Sequence, residues 1–250
     1  MSDDISNILN NWEYDPANSI RIIKADNGRD VLQVRQPLGI EQYELEARPD
    51  GMKPFGKDTF LQIIEERLSR HILDGSQTSN FRISHDDFTI LQNEGVLYYY
   101  RYLQLFQIGD FVRTIKDTEH NLQICNLAEK YCEDPDDKDS LLQYRPYILR
   151  INAISKAMIN VRNKLKIEAK HILENAINTI NEMKEIDTPA FKFEKIRSIN
   201  YLKTALKQID ENPASPAEEL KLQLDEAVAE EDYERAAWLR DQIKQFGDLE

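Results

Sequence analysis

Chain breakers are scarce in this sequence, with 8 glycines and 9 prolines among 250 residues. That excludes collagen-like repeats and Pro/Gly-rich low-complexity chains. Together with 31% charged residues, it points to a mainly helical protein. Long hydrophobic runs are missing too. None approaches the ~20 residues that cross a bilayer, so no membrane anchor is expected. The first twenty residues, MSDDISNILNNWEYDPANSI, start acidic and contain no apolar stretch. A secretory signal needs one, so a cytoplasmic location is expected. Excess positive charge is also lacking: 32 Lys and Arg stand against 45 Asp and Glu, a formal charge of −13. This disfavours generic binding to nucleic acid or anionic membrane, since both need a positive surface. Only two cysteines are present, Cys125 and Cys132, seven positions apart. On a helix they share a face about 10 Å apart along the axis. A disulfide needs closer Cα atoms. They are expected as reduced thiols in or near the core.

Recognisable catalytic patterns are missing as well. His71, His85, His120 and His171 have no Cys or carboxylate at metal-ligand spacing. There is no Gly-x-Ser-x-Gly elbow, no dinucleotide-binding glycine fingerprint and no phosphate-binding glycine loop. Carboxylates abound, but Glu41, Glu44 and Glu46 read as the solvated face of a strand. No enzyme activity, cofactor or metal is expected.

What is present divides the chain in three: a β-meander over 1–57, a helical body over 58–210 and a helical hairpin over 211–250. The expected class is α+β, mostly α. Residues 19–25 and 30–35 are β-rich and flank Asn27-Gly28, which favours a two-residue turn with positive φ at both centres. A third strand is expected over 40–47, followed by the turn Arg48-Pro49-Asp50-Gly51. Apolar residues then switch to helical spacing. Asp58 and Ser84 are candidate caps. Leu105, Gly109, Asp110 and Phe111 resemble the turn of a tetratricopeptide-type helical hairpin. Residues 133–139 read as a solvated acidic loop. From Pro146 to about residue 185 there is no Gly or further Pro, and apolar residues recur every three or four positions. One long amphipathic helix, or two nearly collinear ones, is expected. Residues 191–209 form a further helix with Ile196, Ile199, Leu202, Leu206 and Ile209 inward. In the run Tyr98–Tyr102 the tyrosines suit half-buried packing, with base stacking as the alternative.

One segment runs against the net charge. Arg145, Arg150, Lys156, Arg162, Lys164, Lys166 and Lys170 face the single acid Glu168, netting +6. Arg162, Lys166 and Lys170 are spaced as helical neighbours, which like charges disfavour. The chain's own acidic segments are one partner for them, and nucleic acid is the alternative.

Residues 215–246 carry the most information. Ser215-Pro216-Ala217-Glu218 is a capping box. Leu220, Leu224, Ala227 and Val228 share a helical face. Asp232 is a candidate cap for a second helix whose inner face holds Tyr233, Ala236, Ala237, Leu239, Ile243 and Phe246. Leu222 and Trp238 point away from that face. The segment nets −5. Leu220, Leu224, Ala227, the run Glu231–Ile243 and Lys244 resemble the UVR motif of excision-nuclease subunits B and C. The chain as a whole resembles a bacterial protein with a C-terminal UVR motif. In that family the motif is a helical hairpin that joins one protein to another; similar motifs occur in Clp-type unfoldases and in activators of protein arginine kinase. The resemblance implies a non-enzymatic adaptor that binds a protein partner, or itself, through the hairpin. Its contact residues would be Leu220, Leu222, Leu224, Ala227, Tyr233, Ala236, Ala237, Trp238, Leu239, Arg240 and Ile243. The alternative is an accessory factor in nucleotide excision repair, or a regulator of a kinase or unfoldase.

Overall fold

The computed structural model describes residues 4–75, 77–211, 220, 223–224, 227–228 and 232–247. It is α+β and mostly α, with a small antiparallel sheet at the N-terminus. The chain falls into two compact units, Met1–Arg145 and Pro146–Glu250.

In the first unit, a short helix α1 (Ser6–Asn10) precedes strands β1 (Ile20–Lys24), β2 (Asp30–Gln36) and β3 (Gly39–Glu44), paired in that order. Ile22 lies opposite Leu32, and Leu32 opposite Tyr43. The period-2 pattern therefore gathers Leu32, Val34, Tyr43 and Leu45 on one packed cluster with Leu105. The β1–β2 turn differs from the two-residue expectation. Ala25 N–H donates to Arg29 O, and Gly28 N–H to Ala25 O, each at 2.8 Å. Only Gly28 has positive φ, at 82°. This is a three-residue connection closed by a left-handed glycine; its extra residue frees Asn27 from positive φ. Strand β3 ends at Glu44 rather than at 47. Ala47 turns to φ 53°, and Glu44 N–H pairs with Pro49 O instead.

Helices α2 (Phe60–Leu73), α3 (His85–Gln107), α4 (Phe111–Tyr131) and α5 (Pro135–Leu142) complete this unit. Thr59, not Asp58, caps α2: its Oγ1 accepts from Gln62 N–H at 3.1 Å. Ser84 caps α3 as expected. The α3–α4 turn is a Schellman ending. Asp110 N–H reaches Leu105 O, Gly109 N–H reaches Phe106 O, and Gly109 has φ 74°. Asp110 then caps α4. The acidic stretch expected as a loop instead starts α5. Asp134 accepts from Asp136 N–H, Pro135 opens the helix, and Asp136 and Asp137 suit its positive end. Phe60, Ile64, Ile83, Phe88, Leu91, Ile124 and Ala128 form the core between these helices. Cys125 and Cys132 are buried and unlinked, and burial pushes the Cys125 thiol up to about 12.

The second unit holds α6 (Arg145–Arg162), α7 (Lys166–Asn181) and α8 (Pro189–Asp210), then α9 (Tyr233–Gly247). The long helix expected from 146 to 185 is broken. Lys164 has φ 61°, and Leu165 N–H closes back on Asn160 O at 2.8 Å. Ile154 and Leu173 line the same cavity, with Ala205 and Ile209 of α8. In one straight or collinear helix those two residues would lie about 28 Å apart at 1.5 Å per residue. Helices α6 and α7 are therefore not collinear. Thr188 caps α8. Its buried residues are Phe191, Ser198 and Leu202, whereas Ile196, expected inward, is 64% exposed. At 100° per residue it stands about 200° from Ser198.

The meander is tied to the helices after it by Leu105 and by Arg101 of α3. The Arg101 Nη1 donates to Glu44 O at 2.6 Å and to Ala47 O at 2.9 Å.

Candidate partner-binding site

The C-terminal hairpin is built on small residues. Ala227, Ala236 and Leu239 are buried in one cluster, with Leu220 and Leu224 packed against it. Asp232 organises the turn between its helices. Its N–H donates to Ala227 O at 2.8 Å, and its Oδ1 accepts from Arg235 N–H at 3.1 Å, capping α9. The described residues Leu220, Gln223, Leu224, Ala227 and Val228 are helical. The candidate capping box at 215–218 and Leu222 lie outside the described residues.

On α9 the buried arc is narrower than expected. Ala236 and Leu239 are buried and Ile243 is half-buried. Ala237, expected at the close contact, is exposed, because it stands 100° further round the helix than Ala236. Tyr233, also expected inward, is 68% exposed, and Val228 is 51% exposed. Trp238 is 59% exposed, as its outward placement predicts. Arg240 is exposed as well. The expected contact residues thus separate into two sets. Leu220, Leu224, Ala227, Ala236, Leu239 and Ile243 hold the hairpin together. Tyr233, Ala237, Trp238 and Arg240 remain on its surface.

Three of the seven bases in the basic segment face the protein's own acids. Arg145 pairs with Glu129 at 2.5 Å, and Lys170 with Asp210 at 2.5 Å. Arg150 faces Glu194 at 3.9 Å beneath Tyr147 and Tyr201. Burial lowers the Arg150 pKa. The turn at Lys164 separates Arg162 from Lys166, so Arg162, Lys166 and Lys170 do not form one helical row.

A buried charged network in the first unit was not visible in the sequence. Glu94, on α3, is fully buried. It accepts from Phe60 N–H at 2.7 Å and Leu61 N–H at 3.0 Å, so it caps α2 from a distance. Arg48 reaches it at 3.0 Å and His120 at 3.3 Å. Burial raises its carboxyl, but His120 and the two N–H groups outweigh that and leave it below the usual carboxylate value. Tyr98 stacks on His120 at 3.7 Å. Arg101, 3% exposed, grips Asp117 with two bonds of 2.8 and 2.6 Å. Beside this network lies an opening of about 330 Å³, lined by Tyr98, Arg113, Lys116 and His120 among others. Of the Tyr98–Tyr102 run, Tyr98 and Tyr102 are buried and Tyr99 and Tyr100 partly exposed, as packing requires.

Among the described residues no helix is long and apolar enough to cross a membrane, and no group of three or more His, Cys, Asp or Glu is placed to hold a metal. Compared with curated proteins and with solved structures, the chain matches none. On the hairpin, residues 215–249 fit the family model UVR, the UvrB/uvrC motif.

Proposed function

We propose that this protein is a non-enzymatic adaptor, cytoplasmic, that binds a protein partner through its C-terminal UVR hairpin. One observation carries the reading. The segment that matches the UvrB/uvrC motif closes a small core of its own while keeping Tyr233 and Trp238 on its surface. Aromatic residues so placed are frequent centres of binding energy. Two helices of this length are marginal alone, and a partner helix supplies further burial. A second reading, an accessory factor acting on DNA in excision repair, is favoured by the motif's family.

The test is affinity purification from native cells with wild-type chain and with Trp238→Ser plus Tyr233→Ser. Specific proteins retained by the wild type and lost by the variant are expected. Titration onto duplex and single-stranded DNA at low salt runs alongside. Micromolar binding with a steep salt slope, abolished by Arg162→Glu, Lys166→Glu and Lys170→Glu together, overturns the adaptor reading in favour of the second.

A further inference from the structure

Asn27 is the one asparagine of this chain that is followed by glycine. Both residues are exposed, in the connection between β1 and β2. The space around Gly28 is open: even an added Cβ would meet nothing within 4 Å. Arg29 N–H donates to Asn27 Oδ1 at 3.2 Å. That hydrogen bond polarises the side-chain carbonyl. It also stands where negative charge gathers on Oδ1 when a nucleophile adds to Cγ. The nearest nucleophile is the Gly28 nitrogen. Only the carbonyl carbon, Cα and Cβ of Asn27 separate it from Cγ, so their union closes a five-membered ring. Ring closure between neighbours in one chain is far more favourable than attack from solvent.

Other asparagines are placed differently. Asn93, Asn121, Asn152 and Asn178 stand inside helices. There the next N–H is tied to a carbonyl one turn back, and the next residue carries a Cβ that crowds the approach. Asn18 precedes Ser19, which has a Cβ too, and its Nδ2 is held by Asp15 Oδ2 at 2.7 Å. At Asn27 one contact opposes the reaction. Gly28 N–H donates to Ala25 O at 2.8 Å, and this bond must open before the nitrogen loses its proton. It lies in an exposed turn, so it opens locally while the sheet stays paired. The turn slows ring closure relative to the unfolded chain without preventing it.

We propose that Asn27 is a site of spontaneous deamidation, and that its isoaspartate product loosens the β1–β2 connection as the protein ages. The step balances with water as the sole co-reactant. The Gly28 nitrogen gives up its proton and bonds to Cγ. The Cγ–Nδ2 bond breaks, and the side-chain amide leaves as ammonia with that proton. Water then opens the cyclic imide at either of its two carbonyls. One opening leaves an ordinary aspartate at position 27. The other leaves isoaspartate, whose main chain runs through Cβ and is longer by one methylene. That methylene falls inside the ring that Ala25 N–H closes on Arg29 O, and it pulls this hydrogen bond apart. Either product sets a new carboxylate between Asp26 and Asp30 in the sequence.

The experiment is incubation of the purified full chain at mildly alkaline pH, followed by peptide mapping. Mass spectrometry reads the gain from exchanging NH₂ for OH, and isoaspartyl methyltransferase reads isoaspartate. The gain should map to the Asn27 peptide, and isoaspartate should accumulate there. Asn27→Gln should lose both signals, because its closure needs a six-membered ring. The same chain in urea should react faster at Asn27, since the bond to Ala25 O is gone. After ageing, the wild type should melt a few degrees below fresh protein. Aged Asn27→Gln should melt as fresh Asn27→Gln does. A native chain unchanged at Asn27 while the urea-unfolded chain reacts shows that the turn protects the residue, and overturns the proposal. A gain spread evenly over Asn27, Asn18 and the helical asparagines also overturns it, because the turn then selects nothing. So does an aged wild type that carries isoaspartate at position 27 yet melts as fresh protein does, since the connection is then not loosened.

Discussion

Arg101 sits in a tyrosine run, where the sequence suggests only amphipathic packing. Its role depends on Asp117, sixteen residues on, and on two carbonyls of the meander. No local pattern announces partners that distant. Arg101→Met should destabilise the protein by about 3–5 kcal/mol, because it leaves Asp117 charged, buried and unpaired. Urea denaturation measures this. A loss under about 1 kcal/mol would mean that the pair holds the fold no better than the apolar contact replacing it. Gly28 is the contrasting case, since Asn-Gly between β-rich runs made the hairpin legible. The sequence missed only the loop length, which depends on how Ala25 and Arg29 pair. Gly28 has φ 82°, and a Cβ there would meet nothing within 4 Å, so Gly28→Val would be strained by backbone alone. It should lower the melting midpoint by several degrees, on the scale of 1–2 kcal/mol for a left-handed non-glycine residue. An unchanged midpoint would show that the turn relaxes.

At the scale of elements, capping signals were the most legible part of the fold. Ser84, Asp110 and Asp232 all cap where the sequence places them, because the cap reaches only two or three residues. The break between α6 and α7 was hidden for the opposite reason. Both helices carry apolar residues at the same spacing, and the left-handed position is filled by Lys164 rather than glycine. The periodicity therefore runs through the turn unbroken. This yields a test with two signs. Lys164→Gly relieves a left-handed side chain and should stabilise the protein by about 0.4–1 kcal/mol. Were residues 146–185 one helix, the same change would destabilise it by about 1 kcal/mol. Thermal melting of the single variant decides between them. The hairpin site was read to a similar depth. Its motif, cap and small-residue core were legible, but Ala237 and Tyr233 were placed inside. Which residues of a helix face inward depends on an arc that two neighbouring alanines cannot fix.

Across the whole molecule, the charge pattern sets how stability varies with pH. Glu94 and Asp50 are held below their ordinary values of 4.5 and 3.8, Asp50 chiefly by the hydrogen bond from Arg48. Their contribution is complete above those values and is lost as pH falls through the lower folded ones, because the unfolded chain then takes up protons that the folded chain refuses. His85 behaves in reverse. Its hydrogen bond to Asp137 raises its pKa above the ordinary 6.5, so its contribution is complete below 6.5 and is lost as pH rises through the folded value. Self-repulsion at a net charge of −13 also weakens the compact state towards neutral and alkaline pH. These effects agree in placing the highest melting midpoint between 4.5 and 6.5, with a steep acid limb and a shallow alkaline one. His85 is exposed, so His85→Asn should flatten only the rise and fall around its own titration. Glu94→Gln should lower the plateau, because it removes the charge that holds the α2 N-terminus and meets Arg48. It should also make the acid limb shallower, because one group no longer takes up a proton on unfolding. Melting curves of both variants from about pH 3 to 9 read these slopes directly. An acid limb as steep in Glu94→Gln as in the wild type would show that the exposed carboxylates, and not this buried network, carry the acid sensitivity.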